Sequence, residues 1–146
     1  MRRAVLLVLL AGLVACSGGD GLTRAQFIRK GDAICQRFAT GGSVLDVGGS
    51  DDVDAALVRV IRLAREARSD FAALDPPADG ERAKRAILAF IDRSITQATR
   101  ARAAVAKGDV ATARQALVAT AIPALTAQKA AEDYGFQECA GPSLPR

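Results

Sequence analysis

Three cysteines, a single methionine and no histidine set the chemistry open to this 146-residue chain. Without histidine, the commonest general base and the commonest metal and haem ligand are missing. Met1 stands at the very start, so neither His nor Met ligation of haem is at hand in the body of the chain. Cys35 and Cys139 lie far apart, which excludes a local Cys-x-x-Cys redox motif. Carboxylates gather at Asp46, Asp51, Asp52 and Asp54. Their spacing does not match a calcium loop, which needs an oxygen ladder before a Gly and a more distant Glu. A capped helix start in a solvated loop is the plainer reading. Arg59, Arg62, Arg65 and Arg68 recur every third residue. A step of three drifts around a helix, so they form no straight row. With Arg82, Lys84 and Arg85 at the start of the third helical segment, they would meet anionic lipid headgroups or, more plainly, pair with Glu66, Asp70 and Glu81 on a solvated side. Ser94, Thr96, Thr99, Thr120 and Thr126 have no His to activate them. The expectation is no catalytic residue, no metal and no cofactor.

Cys16 has a context of its own. Arg2 and Arg3 follow Met1, an apolar run extends from Ala4 to Ala15, and the cysteine comes next. A charged start and a short apolar core make a secretory signal. About a dozen residues are too few to cross ~30 Å of hydrocarbon comfortably as a helix. Leu13-Val14-Ala15-Cys16 resembles the bacterial lipobox. That resemblance implies cleavage before Cys16 and lipid on its thiol, with residues 1–15 as a lipoprotein signal peptide. An ordinary signal peptide containing a Cys, or a weak membrane anchor, would be the alternatives. On this reading Cys35 and Cys139 remain as an even pair outside the cytosol, where disulfides persist. A Cys35–Cys139 disulfide is expected, with two free buried thiols as the alternative.

Composition agrees with export and offers no nucleic-acid partner. Removing Arg2 and Arg3 from the 20 basic residues leaves 18 against 16 acidic ones. The remaining Arg are distributed rather than gathered into the basic face a nucleic-acid binder shows. Trp is absent and Tyr134 is the single Tyr. Ala, Leu, Val and Ile dominate the apolar residues, a composition that suits closely packed helices.

Four helical segments must position these residues, after a Gly-rich tether over 16–22. The first is expected from Thr23 to Thr40. Thr23 and Gln26 form a capping box, Phe27, Gly31, Ile34 and Phe38 share a face, and Gly41-Gly42 ends it. The second is expected from Asp51 to Leu74 with the stripe Val53, Leu57, Val60, Ala64, Ala67, Phe71 and Leu74, and Pro76-Pro77 follows it. The third spans about Asp79 to Lys107 with an apolar side that includes Ile87, Phe90, Ile91 and Ala98, and Gly108 stops it. The fourth runs from Asp109 to Tyr134 with a buried stripe at Ala113, Leu117, Ala121, Leu125 and Gln128, flanked by Val118 and Ile122. Pro123 should bend or break it near Thr120, because the ring lacks an N–H and crowds the preceding turn. To bring Cys139 to Cys35, the tail should turn at Gly135 and climb beside the first helix, or the first helix should overhang the bundle end; either way Phe136 should lie near Phe27, Ile34 or Phe38.

Ala33-Ile34-Cys35, the Pro76-Pro77 break and Tyr134-Gly135-Phe136-Gln137-Glu138-Cys139 together resemble small envelope lipoproteins of high-GC Gram-positive bacteria. The resemblance implies a lipid-anchored, disulfide-closed helical domain and transfers no catalytic residue. The fold expectation is an all-α, antiparallel four-helix bundle over 23–146 with a C-terminal tail disulfide-linked to the first helix. The functional expectation is a non-enzymatic interaction or structural module of the cell envelope. It would sit on the extracytoplasmic face of the cell membrane through a palmitate-type anchor on Cys16. Ser17 after that Cys would permit an outer membrane where the envelope has two. An unknown envelope protein would be its partner. The alternative is a carrier holding a small apolar ligand between helices.

Overall fold

The computed structural model describes residues 21–41 and 53–141, and all regular structure among them is helical. The elements are α1 (Arg24–Gly41), α2 (Val53–Ala72), a 3₁₀ turn (Ala78–Gly80), α3 (Glu81–Val105), α4 (Val110–Val118) and α5 (Ala121–Tyr134). Cys16, the leader, most of the tether, the loop before α2, and Asp46, Asp51 and Asp52 lie outside the described residues.

α1 begins as its sequence dictates. The Gln26 N–H donates to Thr23 Oγ1 at 3.3 Å and the Thr23 N–H to Gln26 Oε1 at 2.9 Å. This is the reciprocal capping box, which satisfies two otherwise orphaned donors. One residue earlier, the Leu22 N–H donates to the Asp75 carbonyl at 2.8 Å, tying the entry of α1 to the exit of α2.

α3 is the central strut, about 37 Å long at ~1.5 Å per residue, and α2, α4 and α5 all pack on it while α1 packs on α2. Two ion pairs bridge α2 and α3 along their length, Arg102–Asp54 and Arg68–Asp92, each at 2.6 Å. Both are exposed, so they contribute little to stability. The expected stripe of α2 holds at Leu57, Ala64, Ala67 and Phe71. Ile61 takes the place expected for Val60, and Val53 is exposed.

The fourth expected helix is two helices. α4 stops at Val118 and α5 starts at Ala121. Pro123 occupies the third position of α5, where an N–H would lack an intrahelical partner anyway. Continuing α4 would have required that missing N–H to reach the Ala119 carbonyl. Instead the Ala124 N–H donates to Thr120 at 3.0 Å and starts a new helix.

The stripe expected on this segment is corrected by the structure. Leu117, Ala121 and Leu125 are exposed, as are Val118 and Ile122. Ala113, Ala116, Ala127, Ala131 and Tyr134 face inward. Alanine lets α4 and α5 approach α3 closely, and the bulkier side chains fall on the outer side.

The interior has two parts. One gathers Phe27, Ile34, Phe71, Ile87, Ile91, Ala131, Tyr134 and Phe136. The other is built around Leu57 and Ile61 with Ala98, Ala101, Ala104, Ala113 and Ala116.

Candidate functional site

Cys35 and Cys139 are bonded, with Cα atoms 5.1 Å apart. A chain of local causes brings them together. α5 ends in a Schellman motif: the Phe136 N–H donates to Ala131 O and the Gly135 N–H to Glu132 O, both at 3.0 Å. Gly135 supplies the required φ of 105°. The turn throws Phe136 inward, where its ring centroid lies 5.3 Å from Phe27 and 5.6 Å from Tyr134. Gly31 leaves the space, because a Cβ there would stand 2.5 Å from Phe136 Cε1. Asp32 then receives the tail. Its Oδ1 accepts the N–H groups of Gln137, Glu138 and Cys139 at 3.1, 2.9 and 3.2 Å. The tail climbs beside α1 until Cys139 meets Cys35. Nothing in the sequence marked Asp32 for this role, since its partners lie more than a hundred residues away.

This crosslink forms one wall of an apolar cleft of about 160 Å³. Ile34, Cys35 and Phe38 of α1 line it with Ala64 and Ala67 of α2. Ile87, Phe90, Ile91 and Ser94 of α3 and Ala127 of α5 complete the sides, and Glu138, Cys139 and Gly141 of the tail close it. A second groove of about 380 Å³ lies between α1 and α2 and is rimmed by Arg37, Glu66 and Asp70. It is larger, and charged side chains share its lining with Ile34, Phe38, Leu63 and Ala67.

At the opposite pole of α1, Arg24, Asp79 and Tyr134 form a small polar cluster. Arg24 donates to the Tyr134 carbonyl at 2.6 Å and lies 4.5 Å over its ring. The Tyr134 hydroxyl donates to Asp79 at 3.3 Å. Burial first, then the neighbouring Asp79 carboxylate, push this hydroxyl above its ordinary value. Asp79, Asp133 and Arg82 line a hollow of about 150 Å³ beside Tyr134. Both of its carboxylates are engaged by cations, Asp79 by Arg24 and Asp133 by Lys129.

The other residues singled out by type fall into structural roles. Asp54 pairs with Arg102, whose hydrogen bond holds the carboxyl below its usual range. Arg62 pairs with Glu66 and Arg85 with Glu81 as expected, whereas Asp70 pairs with Arg37 of α1. Arg68 finds Asp92, and Arg59 and Arg65 are exposed. Lys84 donates to the carbonyls of Ala72 and Leu74, closing the C-terminal end of α2. The hydroxyls of Ser94, Thr96, Thr99, Thr120 and Thr126 donate to carbonyls of the preceding turn, at Phe90, Asp92, Ile95, Leu117 and Ile122. Among the described residues no group of three or more His, Cys, Asp or Glu could hold a metal ion. None of the described helices is long and apolar enough to cross a membrane.

On the outer side of α4 and α5, Val118, Ile122 and Leu125 are 66%, 78% and 62% exposed, with Val110 and Leu117 on the same two helices. A lone exposed Leu is ordinary, but five exposed large apolar residues on one pair of short helices are a concentration of the kind found at contact surfaces.

The chain matches no family model, no curated protein and no solved structure.

Proposed function

We propose that the protein is a non-enzymatic interaction module of the cell envelope, anchored through lipid on Cys16. The exposure of Val118, Ile122 and Leu125 on α4 and α5 carries this reading. The sequence around Cys16 supports the anchor, and the lipoprotein family it resembles supports the envelope setting. The partner in this reading is an envelope protein presenting an apolar surface to α4 and α5. The same reading takes the helices as an antiparallel four-helix bundle with α4 and α5 sharing the fourth place. The two ion pairs between α2 and α3 favour it, because the α3 partner falls from Arg102 to Asp92 as the α2 partner rises from Asp54 to Arg68.

Two measurements test this proposal. Intact-mass analysis of protein taken from its native membrane should find a chain beginning at a diacylated or triacylated Cys16, since two or more chains give stable anchoring. Cys16→Ser should leave precursor or release the protein. A photo-crosslinker at position 122 should trap a discrete partner, and Leu125→Asp should abolish the adduct. A mature chain starting elsewhere without lipid defeats the anchor, and an adduct indifferent to Leu125→Asp defeats the contact at α4 and α5.

A second reading is a carrier for a small apolar ligand. The cleft beside the disulfide favours it, because it is an unfilled apolar space between helices.

A further inference from the structure

We infer that the cleft beside the Cys35–Cys139 disulfide is a binding site for a neutral hydrocarbon group of about benzene size. The inference rests on the carrier reading and narrows it to a ligand class. Three observations set that class.

Volume is the first. The cleft holds about 160 Å³, and an engineered cavity of about 150 Å³ lined by Leu, Ile and Phe stays dry and takes benzene or xenon. The space exists because Ala64, Ala67 and Ala127 stand where larger side chains would fill it. The cleft is open on one side, so a long acyl chain would leave most of its length outside it.

Polarity is the second. Ile34, Phe38, Ile87, Phe90 and Ile91 supply the walls. The Ser94 hydroxyl is the one uncharged polar side chain of the lining, and its proton is committed to the Phe90 carbonyl at 2.9 Å. With that donor engaged, the site offers a polar ligand no side-chain hydroxyl proton.

Charge is the third. Glu138 lines the cleft and no Lys or Arg does. A carboxylate entering this space would meet no counter-ion, and burying an unpaired charge is costly. The site therefore selects against a charged group buried within it.

The disulfide-bonded full-length chain is titrated with benzene, benzoate and 1-decanol while the methyl groups of Ile34, Ile87 and Ile91 are followed by NMR. Benzene should shift these methyls saturably, with a dissociation constant of about 1 mM or tighter, and benzoate should leave them unmoved. Ser94→Leu, which fills the cleft from α3, should weaken benzene by about tenfold or more. Should Ser94→Leu fail to fold, Ala39→Phe reads the same loss, since Ala39 of α1 also lines the cleft and is exposed. Decanol binding without benzene binding overturns the size class and leaves the carrier reading standing. Benzoate binding as well as benzene overturns the charge argument. If no probe moves the methyls, both the inference and the carrier reading fall.

Discussion

α3 and α5 end in the same motif, yet the two ends do opposite things. At the end of α3 the Asp109 N–H donates to Ala104 O at 3.0 Å and the Gly108 N–H to Val105 O at 2.9 Å, with Gly108 at a φ of 72°. That is the Schellman pattern found again at Ala131, Gly135 and Phe136. The residue after the glycine decides the outcome. Phe136 is apolar and turns inward to join Phe27, Phe71 and Tyr134. Asp109 is charged, stays exposed, and caps α4 by accepting the Thr112 N–H at 3.0 Å. One end therefore gathers aromatic rings, a carboxylate grip on the tail and a disulfide. The other holds together through Leu57, Ile61 and a set of alanines. The same backbone turn serves as a lock or as a hinge according to one side chain.

Breaking the lock should cost most. Phe136→Ala empties the centre of the aromatic group and should destabilise by about 3–5 kcal/mol, read by urea denaturation. A loss under about 1 kcal/mol would mean the ring is not holding the tail. Next comes the crosslink, which spans 104 residues. Cys35→Ser with Cys139→Ser, or reduction by dithiothreitol, should cost about 2–5 kcal/mol. The amides of Gln137 and Glu138 should exchange first. Alkylation of both thiols without reductant would remove the bridge from the account.

The paired glycines sharpen the comparison further. Gly108→Ala and Gly135→Ala both force a Cβ into left-handed backbone, at about 1–2 kcal/mol each. A Cβ at Gly108 meets nothing within 4 Å, and at Gly135 it makes only an ordinary contact, 3.5 Å, with Ile28, so neither adds a clash. Gly135 aims Phe136, so its substitution should be the costlier in thermal unfolding. Equal losses would say that the two ends are equivalent.

The smallest effects are set by pH. Hydrogen bonding from Thr112 holds the Asp109 carboxyl below its ordinary value. Its contribution is thus present above about pH 4 and fades as pH falls through the folded value. Acid should loosen α4 ahead of the rest, and Asp109→Asn should flatten that slope. Tyr134 acts in the other direction. Its raised pKa means the folded chain keeps the proton longer than the unfolded one. Stability held below about pH 10 is lost as pH rises through the folded value. Tyr134→Phe should remove this alkaline slope.

What could be read from the sequence was local or covalent. Thr23 with Gln26, Gly108, Gly135 and Pro123 each act through the backbone within a few residues, and each acts where expected. The Cys35–Cys139 bridge was legible once export was read from the first sixteen residues. The buried side of α4 and α5 was not. Periodicity ranks Leu117 and Leu125 above alanine, but close approach to α3 rewards Ala113, Ala116, Ala127 and Ala131 for being small. The Asp32 grip and the Lys84 cap were also hidden, because a side chain bonding distant backbone leaves no pattern in sequence. The cleft depends on the packing of four helices and the tail, so no single segment announces it.

Residue-level hydrogen exchange on the oxidised protein tests the lock-and-hinge account most directly. Amides of Phe27, Ile34, Phe71, Ala131 and Tyr134 should exchange only through global unfolding. Those of Ala113 to Val118 should exchange through a cheaper local opening, and reduction should narrow the gap by loosening the first group. Protection in α4 equal to that around Phe71, unchanged by reduction, would contradict the account.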